Sequence, residues 1–398
     1  MQLLGRFPTL SSERVPLDNS PNRILSEDVV AVENLPEGSR STVDGYAVRA
    51  ADTFGASDSI PALLEIAPAV TMGTMPDFKI QSGQAAPIPT GGFLPEGADA
   101  VVMVEYTNPA DAGNIEIARP VTAKTNVLEK GEDAKSGEIL LHAGKKLRPQ
   151  ELGFLAAIGA TEVCVHRQPT VAVISSGDEV VPIDRKPALG QIRDANGHAI
   201  SALVQSCGAK PIQFEIIPDD AVMLGTALQK ALELADMVAI SGGSSVGTRD
   251  LMVDVVGQLP DVEILAHGIA IRPGKPTLLA NQKGKAIFGL PGHPVSALVV
   301  AQIFLAPFLN FLQGEKLEKG PLGIRIKAQL ATSIHSTIGL EEYIRVRLAE
   351  TADGTRIAYP VFGKSGMLST MVKADGITLI PMNAEGFSKG DLIDVIQF

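Results

Sequence analysis

The chain has 398 residues, 45% hydrophobic and 20% charged, with 39 Gly and 27 Pro. That is globular composition on a length beyond a single core, since cores stop growing near ~250–300 residues. Its 34 basic and 45 acidic side chains leave a net charge of −11, and aromatics are only 4% with no Trp; nucleic acid and an anionic membrane are thereby excluded as general partners, and so are base-stacking platforms. An anionic ligand would have to be captured locally, by a few cations, a metal or a glycine loop.

At the N-terminus, residues 1–9 carry no basic stretch followed by an apolar core, so no secretory signal is expected and the chain reads as cytoplasmic. Pro8, Pro16 and Pro21 leave room for only a short N-terminal helix. From about Leu35 to Val127 the chain is rich in Pro, Gly, Thr and Val, with alternating runs at 100–104 and 115–117; short strands and turns are predicted, a small β-rich domain over 35–127. Its flanks, 1–34 and 128–168, read together as a discontinuous linker domain. In the second flank Arg148-Pro149-Gln150-Glu151-Leu152 opens a helix that Gly159 ends.

Over 169–313 the pattern alternates. Strands are predicted at 170–175, 211–217, 237–241 and 286–290, and helices at 197–206, 221–234 and 251–259, which argues for a doubly wound α/β domain with a parallel sheet. Its most apolar stretch, 294–312, is interrupted by Ser296, Gln302, Pro307 and Asn310 and reads as a buried helix rather than a membrane span. Residues 314–398 return to alternating strands at 324–327, 343–348 and 392–396, a small C-terminal β-barrel. Cys164 and Cys207 form no CxxC and read as buried free thiols in a reducing compartment.

Three groups of residues could carry chemistry. The 237–241 strand runs into Ser241-Gly242-Gly243-Ser244-Ser245-Val246-Gly247 and then Asp250 at a helix start. A tight βα turn needs one glycine; three glycines with three hydroxyls favour a cradle of backbone N–H groups for an anion. It is no Walker A loop, because Ala358 stands where the first glycine before Gly363-Lys364-Ser365 belongs. The second group is Arg272-Pro273-Gly274-Lys275-Pro276 with Leu290-Pro291-Gly292-His293-Pro294-Val295-Ser296. Solvated surface turns compete with this reading, but two stiff Pro-Gly turns outside strands of one sheet point to an anion site. The third is a scatter of acids at Asp44, Glu132-Asp133, Asp178-Glu179, Asp219-Asp220 and Asp250. Each alone reads as a cap or Asx-turn, and together their hard oxygens suit Mg²⁺ beside a substrate phosphate. The six histidines form no zinc pattern and there is no GxSxG elbow; His293 could move a proton or simply hold a turn.

Collinear segments then carry a resemblance over nearly the whole chain. They are Asn22–Val29, Ser41-Thr42-Val43-Asp44-Gly45-Tyr46-Ala47-Val48, Thr90-Gly91-Gly92 with Leu94–Val102, Gly131-Glu132-Asp133, Ser176-Gly177-Asp178-Glu179, Ser241–Asp250, Arg272–Pro276, Leu290–Ser296 and Gly363-Lys364-Ser365-Gly366. Together they resemble the molybdopterin molybdenumtransferases, the MoeA family, with the related E domains of gephyrin and its plant counterpart. The resemblance implies an elongated four-domain homodimer in which the β-rich domain of one subunit faces the α/β domain of the other. It implies an enzyme that takes adenylylated molybdopterin and molybdate and, with Mg²⁺, releases AMP and molybdenum cofactor. Carried over by motif, Asp44, Asp133, Glu179, Asp219 and Asp250 are the functional acids, with Thr90 beside them, and Asp44, Asp250 and Glu179 are the metal candidates. Gly242, Gly243, Ser244, Ser245, Arg272, Lys275, Ser296, Arg345 and Ser365 would hold the oxyanion or the substrate phosphate, with Pro291 and Pro294 shaping the pocket. Molybdopterin adenylyltransferase and molybdoenzyme chaperones are the protein partners it implies. A non-catalytic molybdopterin-binding scaffold and a molybdopterin adenylyltransferase are the alternative functions. The sequence departs from the family pattern at 38–43, which reads Gly-Ser-Arg-Ser-Thr-Val, at Gly92 and at His293.

Overall fold

Residues 4–242, 251–315 and 323–398 are described by the computed structural model. One stretch sets the centre of the α/β region: all five residues of the strand Met237–Ser241 are buried. A strand without a polar face belongs inside a sheet covered on both sides. Met237 and Ala239 accordingly pack with Val171, Val173 and Ile200, while Val238 and Ile240 meet Ala172, Ile174, Leu224 and Leu228 on the opposite face. Each buried Val, Ile or Leu contributes roughly 1.5–3 kcal/mol.

The strands lie in the order Lys210–Gln213, Thr170–Ser175, Met237–Ser241, Lys285–Leu290, Leu278–Gln282, Val262–His267. The first three pairings are parallel and the last two antiparallel, so the expected parallel sheet is mixed. The reason is local. Lys283 and Gly284, both with positive φ, form a two-residue turn between Leu278–Gln282 and Lys285–Leu290, and such a turn can join only antiparallel neighbours.

Two helices start on aspartate caps: Asp194 Oδ1 accepts from Gly197 N at 2.8 Å and Asp220 Oδ1 from Met223 N at 2.8 Å. The helices, Ala195–Ser206 and Ala221–Leu234, pack on opposite faces of the sheet. The first connection carries the chain to one side of Thr170–Ser175 and the second returns it to the other side. Strand order therefore reverses at the carboxyl ends of Thr170–Ser175 and Met237–Ser241, the place where open α/β sheets leave a crevice.

The segment Pro294–Leu312 is long and apolar enough to cross a membrane by composition, yet Val295, Val299, Leu305 and Phe308 are buried in the core cluster on one face of the sheet. A π-helical turn, Ala301–Leu305, leads into the second α-helical part at Pro307; it absorbs a residue that has no N–H to donate.

The β-rich region forms a six-stranded sheet in the order Ala100–Met103, Gly45–Val48, Gln84–Ile88, Ala62–Ile66, Asn114–Ile117, Thr107–Pro109. Gly45 is required at its pairing with Met103, because a Cβ there would lie 1.9 Å from Val102 O. The N-terminal stretch holds only short 3-10 turns, Leu4–Arg6 and Leu17–Asn19, on either side of a strand, Ser12–Pro16, antiparallel to Glu162–His166. Pro8, Pro16 and Pro21 lack the N–H that a longer helix would need, so each turn stays short. The predicted helix of the second flank spans Pro149–Ala157.

The C-terminal strands Glu341–Glu350, Arg356–Pro360, Arg325–Leu330, Leu392–Gln397 and Gly376–Ile380 close on themselves through the pairing of the first with the last. This five-stranded barrel is filled by Val346, Ala358, Ile380, Ile393 and Val395. A two-residue strand, Ile271–Arg272, leaves the α/β region and adds in parallel to Glu341–Glu350.

Candidate active site

The crevice is built from three strand ends held against one another. Ser176 N donates to Ser241 O at 2.9 Å. Gly242 follows with φ 112°, and a Cβ there would sit 1.9 Å from Ser176 O. Only glycine permits both the conformation and the approach. The third end, Pro291-Gly292, lies against the second, since a Cβ on Gly292 would be 3.7 Å from Gly242 Cα. On the outer side Ser176 Oγ donates to Asp219 Oδ1 at 3.0 Å, and Asp219 N donates to Asp178 Oδ1 at 3.1 Å. Glu179 is exposed, with its carboxylate against Gly177. A groove of about 640 Å³ opens beside this corner, bounded in part by Gly177, Asp178, Asp194, His198 and Phe214.

The barrel closes the other side. Val295 N donates to Ser365 O at 3.0 Å, and a Cβ on Gly366 would lie 3.9 Å from His293 Cδ2. The 363–366 loop therefore docks on the start of the Pro294 helix, next to the buried Ser296. Arg345, also buried, steadies that loop: Nη2 donates to Gly363 O at 3.0 Å and Nε to Val361 O at 3.4 Å. Burial pulls its guanidinium pKa below the usual arginine value. Arg272 stands opposite Glu342 in the parallel ladder, with Nη1 3.6 Å from Glu342 Oε1, and Ser336 Oγ holds the other carboxylate oxygen at 2.8 Å. Lys275 is exposed on a turn whose backbone is spent internally, as Lys275 O accepts from Ile269 N and Thr277 N, both at 2.9 Å. Pro291 is buried and Pro294 begins the helix. His293 O accepts from Ala297 N at 3.0 Å, which gives this residue a place in the turn.

In the β-rich region Asp44 and Thr90 meet. Thr90 N donates to Asp44 Oδ1 at 2.7 Å and Thr90 Oγ1 donates to the same oxygen at 3.0 Å. The backbone bond first, and the hydroxyl bond second, lower the Asp44 pKa, with a small opposing effect of burial. Asp133 is exposed, and its N–H donates to Leu35 O at 3.0 Å. The expected residues Gly243, Ser244, Ser245 and Asp250 lie outside the described residues. Among the described residues no three His, Cys, Asp or Glu side chains gather as a metal cluster; Asp44 is tied to its own region and Glu179 to the strand-end corner.

Sequence reasoning passed over Ser175, Asp194, Asn196 and Glu342. Asp194 Oδ1 accepts from Ser175 Oγ at 2.9 Å, and Asn196 Nδ2 donates to Gly292 O at 2.9 Å. The cap signature Asp194-Ala195-Asn196-Gly197 ahead of an apolar-periodic run was available as a signal; Glu342 had none, because its partner is distant in the chain.

Comparison with known proteins bears on the same regions. Residues 1–159 match the model described as "MoeA N-terminal region (domain I and II)". Residues 172–310 match "Probable molybdopterin binding domain", and 327–398 match "MoeA C-terminal region (domain IV)". A molybdopterin molybdenumtransferase of Staphylococcus epidermidis is 32% identical over 395 residues, 99% of this chain and 93% of that one. The chain belongs to the MoeA family. A molybdopterin biosynthesis MoeA protein of Pyrococcus horikoshii superposes with a TM-score of 0.81 at 35% identity, covering 100% of this chain and 97% of that one. Another molybdopterin biosynthesis MoeA protein structure, from Pyrococcus horikoshii OT3, gives 0.85 at 30% identity with the same coverage. The three-part family match spans the strand-end crevice, the Asp44–Thr90 pair and the barrel loop alike.

Proposed function

We propose that this MoeA-family chain inserts molybdenum from molybdate into adenylylated molybdopterin and releases AMP, as a Mg²⁺-dependent cytoplasmic homodimer. The observation that carries the reading is the convergence of Ser296, the Ser365 loop and the buried Arg345 at the mouth of the α/β crevice. Molybdate and a dithiolene phosphate repel each other, so fixed positive charge must hold them together on a protein of net charge −11. Arg272 and Lys275 supply that charge on a stiff turn, and Arg345 adds to it while shaping the loop. The groove of about 640 Å³ beside the Gly177–Asp178 corner is within the size range of small-molecule sites, and it is separate from Ser296, Ser365, Arg345, Arg272 and Lys275, none of which lines it. Seating both reagents side by side replaces a bimolecular encounter with a local one.

The donor set suits Mg²⁺, which takes hard oxygens and is typically held by one or two carboxylates with substrate phosphate and water. Asp44, kept ionised by its two Thr90 bonds, and Glu179 are the described residues we assign to it. When bound, the ion neutralises phosphate charge. In the homodimer we propose, the Asp44–Thr90 pair of one subunit faces the crevice of the other, and Asp133 and Asp219 extend the acidic rim. Of the alternatives, the scaffold reading leaves the acids unused, and adenylylation leaves the barrel loop without a task.

Chromatographic assay of AMP released from adenylylated molybdopterin, with and without molybdate, tests the reading. Asp44→Asn should fold, bind substrate and release AMP ~100-fold more slowly. Turnover at the wild-type rate in that variant refutes the role of Asp44. ATP consumption with molybdopterin, in place of AMP release, refutes the reaction.

A further inference from the structure

Of the three strand ends that line the crevice, two are tied to each other within the sheet, and the turn that leaves the third is tied from a helix. The end of Met237–Ser241 is fixed by the sheet itself, through Ser176 N to Ser241 O and the seat of Gly242 on Ser176 O. The turn after Lys285–Leu290 reads Pro291-Gly292-His293-Pro294, and its two prolines have no N–H to anchor it. Among the described residues its anchor is a side chain: Asn196 Nδ2 donates to Gly292 O at 2.9 Å.

Asn196 is itself held firmly. It is the second residue of the helix Ala195–Ser206, whose cap, Asp194, is buried. Asp194 Oδ1 accepts from Ser175 Oγ at 2.9 Å and from Gly197 N at 2.8 Å. Gly197 is so close that a Cβ there would be 2.3 Å from Asp194 Oδ2. The helix start is thus bolted to the end of the Thr170–Ser175 strand, and Asn196 extends that rigidity to Gly292. Past Gly292 the same backbone carries Ser296 and, through Val295 N to Ser365 O at 3.0 Å, the barrel loop.

We propose that Asn196 is a positioning residue for oxyanion binding: its amide donor holds the 291–296 turn, and through it Ser296 and Ser365, in the geometry that receives molybdate. The proposal rests on the oxyanion-cradle reading above. Its chemistry gives an ordered expectation. Asn196→Ala removes the donor. Asn196→Asp keeps the shape but sets a carboxylate oxygen against a carbonyl oxygen, so it should do more harm than the truncation. A role in packing alone predicts the reverse order.

The experiment uses the full-length protein, titrated with molybdate by calorimetry and assayed for AMP release against molybdate concentration, with Arg272→Ala as a control for the cradle. Asn196→Ala should raise the molybdate Kd and KM about 10-fold and Asn196→Asp about 30-fold or more. The kcat at saturating molybdate should stay within about 3-fold of wild type and the thermal midpoint should hold. Asn196→Gln, a longer amide donor, should recover part of the affinity. If Arg272→Ala loses molybdate while both Asn196 variants bind as wild type does, the positioning role is wrong and the cradle stands. If Arg272→Ala also binds normally, the cradle is wrong and the proposal goes with it. Equal losses in kcat and thermal midpoint in both Asn196 variants would mark a purely structural contact and overturn the proposal.

Discussion

The Asp44 corner and the seam between the α/β sheet and the barrel prepare opposite charges by opposite routes. Asp44 is exposed, and two donors from Thr90 on one oxygen keep it ionised. Arg345 is buried, two of its donors held by the carbonyls of Gly363 and Val361, and burial weakens its hold on the proton. The exposed acid is poised by hydrogen bonds alone and stays open to a ligand. The buried cation trades exposure for control of a loop, and leaves direct reach to Arg272 and Lys275. Perturbing the first should alter the chemical step, and perturbing the second should alter affinity.

The largest effect is expected where the sheet itself makes the crevice. Gly242→Ala puts a Cβ 1.9 Å from Ser176 O on a residue with φ 112°, so either the turn or the strand end must move. We expect a loss of at least ~2 kcal/mol in stability by denaturant titration, with AMP release abolished. Wild-type stability would mean that the two strand ends can separate freely, and the crevice would then owe its shape to something other than this contact.

Arg345→Lys comes next. Lysine keeps the charge but cannot span the two carbonyls as a planar fork. The 363–366 loop should loosen, raising the molybdate KM about 10-fold with kcat little changed, whereas Asp44→Asn should lower kcat and leave the molybdate KM alone. The contrast between the regions fails if the two variants share one kinetic signature.

That contrast was only partly legible in the sequence. The predicted strands at 170–175 and 237–241 and the helix at 221–234 have the bounds seen in the fold, because an unbroken apolar run, or an Asp cap followed by helical periodicity, marks them locally. The barrel strands Arg356–Pro360 and Gly376–Ile380 were missed; each is short, and Pro360 and Gly376 at their ends read as turn residues. The parallel addition of Ile271–Arg272 to Glu341–Glu350 is a tertiary pairing that no local pattern announces. In the site, glycine and cation motifs gave the residue types. The meeting of Asp44 with Thr90, 46 positions apart, and of Asn196 with Gly292, 96 apart, needed the fold, since side-chain hydrogen bonds across such separations leave no periodicity behind.

The smallest and most selective change is Thr90→Ala. It deletes the hydroxyl bond to Asp44 but keeps the backbone N–H, which is the larger of the two causes of the lowered pKa. A depressed carboxylate pKa means the ionised form persists as pH falls and is lost only on passing below the ordinary aspartate range. Removing one of two donors should move the acid limb of kcat/KM to higher pH, short of the position an unbonded aspartate would give. Near neutral pH Asp44 stays ionised in either protein, so the rate there should change by no more than about 3-fold. Thr90→Ser, which restores the hydroxyl, should return the limb to its wild-type position. An acid limb indifferent to both substitutions would mean that another group sets it, and the exposed corner would then act by placement rather than by its charge.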